Sequence, residues 1–133
     1  MENLIVVHMK DGRIHKGITH DFDADRESFH LLLAEGGGVP LTIRLDSMKA
    51  LFYVRDYIGN RDFVARKKFD EAQRAGRRAI LTFEDGEEIW GTLGEGADAE
   101  GVGFVFYPAD REDNNLKVFV IRSSVKSLRE VTN

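Results

Sequence analysis

Hydrophobic and polar positions along the chain fall into short strand-like runs, and the runs come in two matching sets. The first set opens with Leu4-Ile5-Val6-Val7-His8-Met9, rich in β-branched residues, and continues with strands at Arg13–Asp21, Ser28–Leu33, Pro40–Asp46 and Lys49–Val54. The second set predicts strands at Arg78–Phe83, Glu88–Gly94, Gly103–Tyr107, Lys117–Arg122 and Val125–Glu130. Lys10-Asp11-Gly12 followed by Gly17 returns as Glu84-Asp85-Gly86 followed by Gly91. Phe29-His30-Leu31 answers Phe104-Val105-Phe106, and Met48-Lys49-Ala50-Leu51 answers Val125-Lys126-Ser127-Leu128. A duplicated five-stranded β unit is therefore the frame of the chain. Asp-Gly favours a two-residue type I′ hairpin, which would set His8 opposite His15. Glycine inside the following strand predicts a sharp bend or a close backbone approach. Strands this short and evenly spaced predict two small barrels, each closing on its own phenylalanines. Residues 1–59 form the first and 78–133 the second. Residues 60–77 form a basic connector with helical character, capped by Asn60 and stopped by Gly76.

Composition adds limits. The 133 residues are 42% apolar and 32% charged, an ordinary globular balance. Absence of cysteine removes disulfides, thiolate metal sites and cysteine nucleophiles together. No apolar run approaches the roughly 18 residues of a membrane span. Met1-Glu2-Asn3-Leu4 lacks the basic and apolar stretches of a secretory signal, so the expected compartment is the cytoplasm. The net charge of −4 is unevenly spread. Residues 61–78 carry seven basic side chains against three acids, and residues 79–113 carry ten acids against Arg111. This split predicts that the connector lies near an acidic face of the second repeat or of a neighbouring chain.

Candidate chemistry is sparse. His8, His15, His20 and His30 all lie in the first repeat, and an opposed His8–His15 pair is close enough to share a metal ion. Without a carboxylate placed to complete the site, the pair reads as two half-exposed strand residues, and no metal is assigned. Asp21-x-Asp23-x-Asp25 lacks the glycine and distal glutamate of an EF-hand loop. No nucleophile–base spacing and no phosphate-cradling loop occurs, so the expectation is a chain that is not an enzyme and carries no cofactor. Trp90 reads as a cover between the two barrels or, secondarily, as an exposed anchor for a partner.

Met9-Lys10-Asp11-Gly12-Arg13 with Gly17, Asp21 and Asp23 resembles the first motif of Sm-like barrels. Val120-Ile121-Arg122-Ser123-Ser124-Val125 resembles their second, with Ser123 where glycine usually stands. The whole chain is also similar to an uncharacterised bacterial family of tandem barrels, in which segments like Phe52-Tyr53-Val54-Arg55-Asp56 and Asn114-Asn115 recur. The resemblance implies an all-β fold of two tandem SH3-like or Sm-like five-stranded barrels. It does not carry an RNA site, because Asp21–Glu27 has no Asn and Glu95–Glu100 has no aromatic residue. Arg74-x-x-x-Arg78 is similar to the arginine half of the PilZ cyclic-dinucleotide motif, whose other half is missing. The function expected is a non-enzymatic interaction module for a protein partner, with exposed edge strands inviting homo-oligomers and no membrane contact. Its rivals are Sm-like nucleic-acid binding and nucleotide sensing through Arg74 and Arg78. The candidate contact residues are Arg66, Lys67, Lys68, Arg74, Arg77, Arg78 and Trp90.

Overall fold

A computed structural model describes residues 3–36, 38–58, 76–110 and 113–131. The predicted helical connector lies almost wholly outside these. The described residues form ten strands: β1 Leu4–Met9, β2 Ile14–Ile18, β3 Ser28–Leu33, β4 Leu41–Arg44, β5 Met48–Val54, β6 Arg78–Phe83, β7 Glu88–Leu93, β8 Gly103–Pro108, β9 Asn115–Ile121 and β10 Val125–Glu130. Single 3-10 turns, Leu45–Ser47 and Arg122–Ser124, lead into β5 and β10. Among the described residues no helix is long and apolar enough to cross a membrane.

The strands form one antiparallel sheet in the order β10-β6-β7-β8-β9-β5-β1-β2-β3-β4. Read by halves, this is one five-strand order used twice, with β9 of the second half joined to β5 of the first. Here the expectation of two separately closed barrels is corrected: the sheet is continuous and open. Closure of the first half would need β4 on β5, but β5 already uses both edges, on β1 and β9. Closure of the second would need β9 on β10, but β9 is filled by β8 and β5. The joint and the closures compete for the same edges, and the joint is what forms.

Side-chain alternation explains why the joint is stable. Ile5, Val7, Met9, Phe29, Leu31, Ile43, Met48 and Leu51 build the first core, and Phe119 and Ile121 reach into it from β9. Leu81, Phe83, Phe104, Phe106, Val118 and Val120 build the second, joined by Val6, Ala50, Phe52 and Val54 from the first half. Strands β1, β5 and β9 are thus buried on both faces. The joint is clamped at one end by the segments that carried the family likeness. The Asn114 side-chain amide donates to the Asp56 carbonyl at 3.0 Å, and its oxygen accepts the Asp56 N–H at 3.2 Å.

Both Asp-Gly turns differ from the expected type. In each turn the glycine alone, Gly12 or Gly86, has positive φ, whereas a type I′ turn needs it at the aspartate too. Met9 N–H donates to the Arg13 carbonyl and Phe83 N–H to Glu87, giving three-residue loops. The register moves by one: His15 faces Val7 and His8 faces Ile14. A one-residue slip sends the two imidazoles to opposite faces, so they cannot share a metal ion. The glycine expectation holds. A Cβ at Gly17 would lie 2.2 Å from the Leu32 carbonyl oxygen, and one at Gly91 would lie 2.1 Å from that of Tyr107.

Candidate functional site

Where the halves join, the β2–β3 loop of the first half and the β7–β8 loop of the second stand on either side of a groove of about 590 Å³. Its floor is aromatic and comes from both halves: Phe22, Tyr53 and Phe119. Phe22 is locked edge-on against Phe29 and Phe119, with ring centroids 5.2 and 5.1 Å away. Lys117, paired with Tyr53 across the joint, holds its ammonium 4.5 Å from the centroid of the Tyr53 ring. The floor therefore already holds one cation by its π face. The rim is acidic. Asp23, Asp25, Glu95 and Glu100 line the groove and are solvent-exposed.

Each wall is held by its own contacts. Asp23 accepts the Asp25 N–H at 2.8 Å. Asp21 accepts the His30 N–H at 2.9 Å and bonds its Nδ1 at 2.6 Å. The His30 hydrogen bonds hold the Asp21 carboxyl at a pKa of about 2. On the other wall, Arg122 donates to the carbonyls of Gly96, Ala97 and Ala99, and its guanidinium lies over the Phe104 ring at 5.0 Å. This arginine lies in the turn Arg122–Ser124 that leads into β10. Its Nη2 is thus spent on the chain's own loop.

A second cluster lies between β5 and the β6–β7 turn. A bulge at Lys49 re-aims its side chain across the joint. Its ammonium donates to Asp85 at 2.7 Å and Glu87 at 2.5 Å, and sits 4.5 Å from the Phe83 ring centroid. Burial lowers the Lys49 pKa, but its hydrogen bonds to Asp85 and Glu87 and their negative charges outweigh it and leave the ammonium above its ordinary value. His8 is shifted down by burial first and by Lys49 second. Beside the cluster, Lys10 and Ser123 line a cleft of about 210 Å³, and the Lys10 ammonium donates to Ser123 Oγ at 2.6 Å.

Comparison with known proteins places the chain at the level of a family. Residues 1–132 match the model of a family of unknown function, DUF6982. The chain belongs to that family. No curated protein and no solved structure matches it.

Of the candidate contact residues, Arg66, Lys67, Lys68 and Arg74 lie outside the described residues. Arg77 donates to Asp98 at 2.5 Å and also to Glu130, so the described end of the basic segment meets acids of the second half. Arg78 lies on β6 opposite Thr92. Trp90 is half-buried on β7, donates from Nε1 to Glu88 at 2.9 Å, and is separated in the sheet from β5 by β8 and β9. None of these three lines the groove. Sequence reasoning missed the groove because its floor and walls come from stretches that only the β9–β5 pairing brings together. The one signal available was the acidity of the two loops.

Proposed function

We propose that this chain is a non-enzymatic protein-interaction module whose groove takes a basic segment of a partner protein carrying apolar side chains. The observation behind this reading is the pairing of an aromatic floor with a rim of four exposed carboxylates. Arg or Lys stems would cover the rings while their charged heads meet the rim. About 590 Å³ lies within the range of several hundred to a thousand Å³ typical of ligand pockets. Each half also keeps the short strands and glycine-bent second strand of a small barrel. We read each as an SH3-like or Sm-like barrel opened along one seam to make the joint. The acidic rim disfavours the nucleic-acid rival, since it repels a phosphate backbone.

The test uses 12-residue peptides carrying Arg or Lys beside Leu or Phe, and matched peptides with Glu in place of the basic residues. Basic peptides should shift the amide signals of Tyr53, Val105 and Lys117, more weakly at high salt. Asp25→Asn/Glu100→Gln should weaken them several-fold. Equal shifts from the acidic set, or none from either, refute the reading. RNA that co-purifies and leaves on nuclease treatment would favour the rival.

A further inference from the structure

The joint has a counterpart at the two rims of the sheet. By repeat position β4 corresponds to β9 and β10 to β5, so the edges of β4 and β10 that carry no strand among the described residues are the edges that β9 and β5 spend on each other. The bulge at Lys49 is repeated at Lys126, so the correspondence extends to register.

Comparison of the copies position by position shows where they part. Residues that each half buries within itself stay apolar in both: Ile5 and Ala79, Val7 and Leu81, Phe29 and Phe104, Ile43 and Val120. At the joint, Ala50 and Phe52 of β5 and Phe119 and Ile121 of β9 are buried. Their counterparts at the rims are Ser127 and Arg129 of β10, and Thr42 and Arg44 of β4, and all four are exposed. The polarity changes where a position has no neighbouring half. Two further features blunt the same rim. β4 is only four residues long, and Pro40, which has no N–H, precedes it in the place of Lys117. Charge works in the same direction at one point, since by the joint's register Arg44, itself paired with Asp46 at 3.1 Å, would lie beside Lys126 of the other rim. Short edge strands, proline and like charge are the means by which sheets avoid edge-to-edge growth.

We infer that the β4 and β10 rims are a latent head-to-tail interface for a second copy of this chain, held closed by Thr42, Arg44, Ser127 and Arg129. Such an interface is heterologous, so opening both rims of one chain yields rings or filaments, and opening one rim on each of two chains yields a single pair.

Light scattering provides the test. The native chain should keep the mass of one copy, 15.1 kDa, up to millimolar concentration. Thr42→Phe/Arg44→Ile and Ser127→Ala/Arg129→Phe each restore one rim to the joint's pattern. Mixed in equal amounts they should form a two-chain complex, and the chain with all four changes should form larger species. Two results overturn the inference: a mixture that stays monomeric while both variants keep native circular dichroism, or a native chain that associates with its β4 and β10 rim amides protected from exchange. Should a variant fail to fold, hydrogen exchange on the native chain decides alone. Rim amides on β10 not paired to β6 should exchange fast, and slow exchange would count against the closed rim.

Discussion

Replacing Lys49 by Met tests how the halves are held together. Methionine keeps an unbranched stem of similar length and removes the charge. The Lys49 side chain is only 11% exposed and donates to two carboxylates, while Asp85 and Glu87 remain 56% and 47% exposed. A hydrogen bond to a charged group contributes about 1.5–3 kcal/mol when both sides are buried. Half-exposed carboxylates rehydrate once the ammonium is gone, which reduces the loss. The contact with the Phe83 ring adds well under 1 kcal/mol, because a methionine sulfur also sits well on an aromatic ring. The expected cost is about 1–2 kcal/mol, or a urea midpoint lower by about 0.5–1 M at unchanged slope. Acidity supplies a second readout. Asp85 is held below 3.8 chiefly by the Lys49 hydrogen bond, so its stabilisation is present above pH 3.8 and lost as pH falls through the lower folded value. Lys49 is held above 10.5, so its share is present below pH 10.5 and lost as pH rises past the folded value. Both wings should flatten in Lys49→Met. A variant as stable as the native chain, with the acid wing intact, would refute the reasoning and show that desolvation cancels the pair.

Three other outcomes are expected. His8 is held below 6.5 by burial, so stability should fall as pH drops below about 6.5, and His8→Phe, which keeps the ring against Phe52, should remove that slope in denaturation curves. Gly91→Ala, forced against the Tyr107 carbonyl, should cost about 1–3 kcal/mol in the same assay, whereas Gly101→Ala, with nothing within 4 Å of the added carbon, should stay within about 0.5 kcal/mol. Carboxyl NMR titration should find Asp21 near 2, and His30→Gln should raise it toward 3.8 but not fully, because the backbone N–H of residue 30 still donates.

Much of the fold was legible in the sequence because two-residue alternation and Asp-Gly pairs are local signals. Leu4–Met9, Ser28–Leu33, Arg78–Phe83 and Val125–Glu130 begin and end where they were expected. The His8–His15 pairing failed through a local choice: Asp11 keeps a negative φ, and a three-residue loop replaces the two-residue turn. The joint was missed although a signal existed. Ala50-Leu51-Phe52 and Val118-Phe119-Val120-Ile121 are unbroken apolar runs rather than alternating ones, as expected of strands covered on both faces. The groove had no comparable signal, since Phe22, Tyr53 and Phe119 become neighbours only after β9 pairs with β5.

That pairing also shapes how the chain comes off the ribosome. Val6, Ala50, Phe52 and Val54 are made before the second-half residues that pack with them, among them Val118 and Val120. Until β9 emerges the first half carries a greasy flank without the strand that covers it, and closing so long a stretch is slow. A nascent chain of this design keeps that flank open to wrong partners until β9 emerges.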